Sequence, residues 1–282
     1  MSSKVIREDG FFSKVVSFFR KHHLTRKQLC IPYGLFLALF VVFPLLLIVY
    51  YAFTDKSGHI TIENFTSVFT QKSNFSVIGM SLLIGALNTF FCLLLAYPIA
   101  YILANTKFNK NKVLVYIFIM PMWINFVIRT IATKEMLSWI DITSANHPLL
   151  ATIIGMVYNY LPFAILPLYS TMLKLDKAQI EASSDLGANP VQVFYKTILP
   201  MSMPGIVSAS LMTFMPTMSS YLIADKLGGG KTTLIGNLIA LNFNQANYNV
   251  GSVLSLIMLL LIGLSLLLTR NHKEENVRGG LW

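Results

Sequence analysis

The residue types that carry hydrolytic or metal chemistry are present in this chain but are not spaced for it. The five histidines, His22, His23, His59, His147 and His272, lie in terminal or connecting segments. None forms the H-x-x-x-H or H-E-x-x-H arrangement that sets two imidazoles on one helix face. Cys30 and Cys92 offer neither a disulfide framework nor the spacing of a zinc or iron–sulfur site, and read as packing residues. No serine or cysteine has a histidine partner patterned as a nucleophile and its base. The sequence therefore predicts no catalytic residue, no metal ligand and no enzyme.

Three further features could still act on a ligand. Gly228-Gly229-Gly230-Lys231-Thr232-Thr233 ends like a phosphate-binding loop, but a Walker A motif needs glycine five residues before its last glycine, where Asp225 stands. No strand precedes the run, which reads as a Gly-rich re-entrant turn, so no ATPase is expected on this chain. Arg129, in P-M-W-I-N-F-V-I-R-T, is the clearest charge within an apolar stretch. Interior pairing, snorkelling to the interface and contact with a substrate all remain open for it, since lipid exposure of Arg is costly. Asp225 with Tyr221 offers a cation a carboxylate and an aromatic face, or else is a solvated helix end. Trp123, Tyr158 and Tyr160 read either as cavity walls or as interfacial aromatics.

A polar island, Asp176 to Pro204, interrupts the apolar second half with helix punctuation. Asp176 can cap a helix, with Gln179 three residues on; Gly187 stands where a stop belongs, and Asn189-Pro190 can start another helix. Two short helices joined by a Gly turn are predicted. Taken alone, this is also what an ordinary loop between two membrane spans looks like.

The elements that must position these residues are membrane spans. The 282 residues are 55% hydrophobic and only 12% charged, against about 25% charged in a soluble domain. Six apolar stretches, near 31–53, 76–104, 113–133, 149–173, 198–222 and 250–270, each suffice to cross a bilayer. The predicted fold is all-α and polytopic, with a membrane-spanning body at 31–270, a connecting loop at 174–197 and a tail at 271–282. The first run is too long for a signal core and reads as a retained anchor, and no lipidation motif is seen. Residues 1–30 alternate apolar pairs with Lys14, Arg20, Lys21, Arg26 and Lys27, as in a helix lying at the headgroups.

The net charge of +10 would suit nucleic acid, but the basic residues flank the spans and point to the bilayer. Sixteen lie before the first span, in the two loops that include Lys107 and Lys177, or in the tail; five lie in the other loops. By the positive-inside rule both termini and the Glu181 loop face the cytoplasm. Five carboxylates on the other side, Asp55, Glu63, Glu135, Asp141 and Asp225, only match the five lysines there, so no strongly acidic funnel results. Prolines at 44, 98, 121, 162, 167, 200, 204 and 216 predict bent or broken helices of the kind found along transport paths.

Glu181-Ala182, Gly187 six residues after the Glu, and Leu199-Pro200 at the close resemble the EAA signature of ATP-binding-cassette (ABC) importer permeases. The signature's second Ala is Ser183 here, and its Ile is Thr197, with Ile198 one place late. The segments 96–104, 121–130, 158–170 and 225–237 are similar to spermidine/putrescine permeases of the MetI-like family. The resemblance implies a prokaryotic inner-membrane subunit that pairs with a homologous second permease, a cytoplasmic ATPase dimer and an external or periplasmic polyamine-binding protein. It also implies that Glu181, Ala182, Ser183, Asp185, Leu186 and Gly187 couple to the ATPase, and that ATP and Mg are bound there rather than on this chain. Permeases for sulfate, molybdate, iron or thiamine share the loop and stay open as alternatives. A self-contained channel or ion-driven carrier would call for paired intramembrane carboxylates or an inverted repeat, and neither is visible.

Overall fold

The computed structural model describes residues 26–105 and 113–278. The N-terminal segment 1–25, the lysines Lys107, Lys110 and Lys112, and residues 279–282 lie outside the described residues. Apart from one isolated bridge between Thr54 and Ile60, the regular elements among the described residues are helices.

The chain divides into two units after Tyr50. The first holds an apolar helix, α1 (Arg26–Leu37), which passes through a π-helical stretch, Ala38–Val42, into α2 (Phe43–Ala52), whose last two residues belong to the second unit. The wider turn has a local cause. Pro44 has no N–H to give the carbonyl four residues back, and the Phe43 N–H reaches back to Ala38 instead. Phe36, Phe40 and Leu46 are exposed along this helix, as suits a lipid-facing span.

The second unit contains α3 (Glu63–Thr70), α4 (Lys72–Ala104), α5 (Leu114–Ile119), a 3-10 turn at Met120–Trp123, α6 (Phe126–Ser138) and α7 (Pro148–Met172). It continues with α8 (Lys177–Asp185), α9 (Pro190–Val193), a second π stretch at Phe194–Ile198, and α10 (Leu199–Ser219). Last come α11 (Tyr221–Gly228), α12 (Ile235–Asn244) and α13 (Tyr248–Arg278). Five helices of the described chain are long and apolar enough to cross a membrane, and the count is six when the bent pair α5–α6 is taken as one span.

The prolines predict bent or broken helices, and two of the six stretches depart most from a simple span. The third breaks, with its two halves meeting at 101°. Pro121 interrupts the ladder, Ile124 is extended, and the Asn125 Oδ1 accepts the N–H groups of Val127 (2.9 Å) and Ile128 (3.4 Å), starting a new helix. The fifth begins early, at Pro190, runs unbroken to Ser219, and is followed by the separate short helix α11.

The core is the junction of α4, α7 and α10, where Ile84, Cys92, Met156, Ile165, Leu168 and Ala209 are fully buried. Polar rungs cross it. The Asn88 amide donates to Thr217 Oγ1 at 2.6 Å, the hydroxyl oxygens of Thr213 and Thr89 lie 3.4 Å apart, and those of Tyr97 and Ser202 lie 2.9 Å apart. Such bonds between spans contribute about 0.6 kcal/mol each, because lipid offers no competing partner but the separated helices find others. At Gly205 the approach of α7 is so close that a Cβ would come within 2.7 Å of Thr171.

Candidate functional site

The polar island forms one helix, one tight turn and the start of a span. Asp176 caps α8 by accepting the Ala178 N–H at 3.0 Å. The reciprocal box expected there with Gln179 forms instead at α9, where Asn189 Oδ1 accepts the Gln192 N–H at 2.8 Å and Gln192 Oε1 accepts the Asn189 N–H at 3.0 Å. Between them Gly187 has φ +85°. Its N–H bonds the Ser184 carbonyl at 2.9 Å, and the Ala188 N–H bonds the Ser183 carbonyl at 3.3 Å, the pairing of a Schellman turn. A Cβ at Gly187 would meet nothing within 4 Å, so its backbone angle, not crowding, calls for glycine. The second helix is not short. From Pro190 it continues through Phe194–Ile198 into α10, and its π stretch precedes Pro200 as the first precedes Pro44.

The helix α8 has two faces. Ile180 and Ser183 turn inward: Ile180 lines a cleft of about 210 Å³ with Tyr101, Asn105, Met172 and Lys177, and the Thr197 hydroxyl donates to Ser183 Oγ at 3.1 Å. Ala178, Ala182 and Leu186, four residues apart, share the outer face with Glu181 and Asp185 beside them. Leu186 is 89% exposed. Ile180 thus faces away from the stripe of Ala182 and Leu186.

Arg129 is only 5% exposed. Its Nε donates to Asn159 Oδ1 at 2.7 Å, Nη1 to the Pro121 carbonyl at 2.7 Å, and Nη2 to the Asn159 carbonyl at 3.4 Å. The guanidinium carbon lies 5.7 Å from the Tyr158 ring centre, within cation–π range. Of the three readings open from the sequence, these contacts describe interior pairing. The Pro121 carbonyl belongs to the turn where the third span breaks, so Arg129 ties that break to the middle of α7.

The remaining aromatic and acidic candidates do not converge. Tyr158 is half-exposed beside Arg129 in an apolar cleft of about 360 Å³ that also includes Ile124, Ile128 and Met136. Tyr160, two residues on, is buried on the opposite face and donates to the Pro216 carbonyl of α10 at 3.3 Å. Trp123 is 85% exposed at the break. Tyr221 and Asp225 are exposed one turn apart on α11, and Asp225 forms an ion pair with Lys226 at 3.1 Å.

Residues 28–272 match the family of the binding-protein-dependent transport system inner membrane component. The chain belongs to this permease family. It is 36% identical over 249 residues to the spermidine/putrescine transport system permease protein PotB of Haemophilus influenzae, covering 81% of this chain and 87% of that one. Identity to the Escherichia coli PotB is 34% over 252 residues, covering 82% and 91% of the two chains. In fold, the permease is similar to a chain of a bacterial alginate ABC transporter crystallised with an alginate pentasaccharide-bound periplasmic protein (TM-score 0.70, 15% identity, 95% and 98% of the chains). It is also similar to a chain of the inward-facing MetNI methionine ABC transporter (TM-score 0.55, 20% identity, 71% and 96% of the chains).

In this permease the Gly-rich run is a packing device. Gly229, with φ +57°, ends α11, and Lys231 Nζ donates to the Ala145 carbonyl at 2.9 Å. Thr232 Oγ1 lies 2.9 Å from Thr152 Oγ1, and the Ile235 N–H donates to Ser81 Oγ at 2.8 Å. The segment is thereby fastened to α7 and α4. At the same end of the permease, Asp55 closes the turn before α3: its carboxylate accepts the N–H groups of Ser57 (2.8 Å) and His59 (2.9 Å). The bond from the His59 N–H, with those from Ser57 and Gly58, holds the carboxyl below its ordinary range.

Residue spacing alone does not disclose the partners of Asn159, Thr197 and Tyr97 or the reciprocal Asn189–Gln192 box. Asn159 had a visible signal, a lone amide in the apolar run 149–173. Thr197 had one too, as a departure from the EAA pattern, but its partner across the turn was not readable from spacing.

Proposed function

We propose that this permease is one of two homologous membrane subunits of an ATP-driven importer for polyamines of the spermidine and putrescine class, and that α8 is its contact with a cytoplasmic ATPase. The observation that carries the reading is the exposed Ala178–Ala182–Leu186 stripe on a short helix built directly onto a span. A short amphipathic helix with an apolar stripe is a ligand for a groove on another protein. The names of the PotB relatives support the substrate class. The distribution of basic residues supports cytoplasmic termini and a cytoplasmic α8.

In this account ATP and Mg are bound by an ATPase dimer. Closure of that dimer displaces α8, and the continuous helix from Pro190 to Ser219 carries the displacement into the core, opening the pathway to one side and then the other. An external or periplasmic binding protein delivers the polyamine. Tyr221 and Asp225 are proposed to meet the cation near the outer mouth, and Trp123 and Tyr158 are proposed as walls of the pathway, while Tyr160, expected from the sequence as another wall, is buried and fastens α7 to α10 instead. Arg129, already paired, acts on the shape of the pathway rather than on the substrate. The test is uptake by the complex reconstituted in liposomes. Spermidine or putrescine uptake that needs ATP and the binding protein supports the reading; uptake of sulfate or thiamine instead, or uptake by this chain alone without ATP, rejects it.

A further inference from the structure

The inward face of α8 meets the span helix through a single side-chain hydrogen bond, from Thr197 Oγ1 to Ser183 Oγ at 3.1 Å. We propose that Ser183 and Thr197 are a matched pair of positioning residues, a strut that makes α8 and the base of the fifth span move together. The proposal rests on the reading of α8 as the ATPase contact.

Four observations carry it. Of the nine side chains of α8, only Ile180 and Ser183 are not exposed, so a push on the helix reaches the body through them or through the Gly187 turn. The turn is the softer route, being hinged on a glycine with φ +85° and nothing packed on its Cα. The direction of the Thr197 hydroxyl is also unusual for this helix. Ser208, Ser210, Thr213 and Thr217 each donate to the carbonyl four residues back, at 2.8, 2.8, 2.9 and 2.6 Å, whereas Thr197 donates across the turn.

Thr197 also lies in the π stretch Phe194–Ile198, where the ladder is widened ahead of Pro200. A widened turn transmits force poorly unless it is braced, and this one is braced on two sides. Ser183 holds it from α8, while the Phe194 ring packs edge-on against Tyr97 of α4 at 5.7 Å and Tyr97 is hydrogen-bonded to Ser202. Finally, Ser183 and Thr197 are the two positions where this chain departs from the EAA pattern, hydroxyls standing in for Ala and Ile. Each departure alone would leave a half-buried hydroxyl without this partner; together they satisfy one another.

The test is a double-mutant cycle with Ser183→Ala, Thr197→Ile and both together. In the reconstituted complex the readout is polyamine transported per ATP hydrolysed, with ATPase copurification as the control for assembly. Each single variant is expected to keep the ATPase but lower the ratio by about twofold to tenfold, and the double variant to restore it, because Ala and Ile refill the contact as an apolar pair. A second readout needs no partner: hydrogen exchange of amides 177–188 in the purified permease should quicken in each single variant and slow again in the double. Unchanged ratios and unchanged exchange in the single variants, or losses that simply add in the double, overturn the strut. If the unaltered complex shows no ATP-dependent uptake, the proposed function fails on its own, and the exchange data still decide whether the strut exists.

Discussion

Arg129 donates its Nε–H to the Oδ1 of Asn159 at 2.7 Å, so the intramembrane cation of this permease is held by an amide and two backbone carbonyls. Among the described residues no carboxylate lies within ion-pair distance of it. An amide neutralises nothing, but it points the planar donor fork at the Pro121 carbonyl, and that fixes the 101° break of the third span against α7.

Removing either partner strands the other. Asn159→Leu leaves a buried guanidinium short of an acceptor and is expected to cost about 3 kcal/mol of stability. Asn159→Asp should be tolerated better, because a carboxylate keeps the acceptor and adds charge compensation. Arg129→Lys should resemble the leucine variant, since one ammonium does not reproduce the fork. Thermal or denaturant unfolding in detergent reads all three; equal stability of the Leu and Asp variants would contradict the assignment.

Gly187 is constrained by its backbone alone. Gly187→Ala should cost about 1–2 kcal/mol through its left-handed conformation and loosen the turn, with Gly187→Asn milder. Hydrogen exchange of residues 177–188 would show faster opening in the order Ala, Asn, wild type, and ATP-driven uptake should fall in the same order.

The rungs between α4 and α10 make a separate prediction. Thr217→Val removes the acceptor of the Asn88 amide, and the coupling energy in a cycle with Asn88→Leu should be about 0.6 kcal/mol and no more than about 2 kcal/mol. A value of zero would mean that the 2.6 Å contact is only steric.

Asp225 is exposed, and its nearest charge is Lys226. Exposed pairs of this kind contribute about 0–1 kcal/mol, so Asp225→Asn should leave assembly and stability intact. If Asp225 meets the polyamine, the same variant weakens spermidine uptake; unchanged transport kinetics would remove it from the pathway.

How far the sequence discloses this molecule depends on the range of the interaction. Four of the six spans, the Asp176 cap and the Gly187 stop follow from local rules and are where those rules put them. The break at Pro121 was legible as a proline but not as a right-angled turn, because the bend also needs Asn125 as a new cap and Arg129 as a clasp. The direction of Ile180 and the Ser183–Thr197 contact depend on how α8 folds back on the next helix, a tertiary relation between residues 14 apart. The Gly228–Lys231 run departs from a phosphate-binding loop in its spacing, but its packing against the Ala145 carbonyl through Lys231 is a tertiary contact that spacing does not disclose.

The claim on which the account turns is that the exposed stripe of α8 engages an ATPase, and Leu186, at 89% exposure, is its most prominent side chain. The most direct measurement is capture of the ATPase by the purified permease carrying Leu186→Asp. The account predicts an unfolding midpoint close to wild type and ATPase binding weakened roughly 30-fold, as for a hot-spot residue worth about 2 kcal/mol, with ATP-driven uptake lost in parallel. Full ATPase capture and undiminished uptake by Leu186→Asp would contradict it.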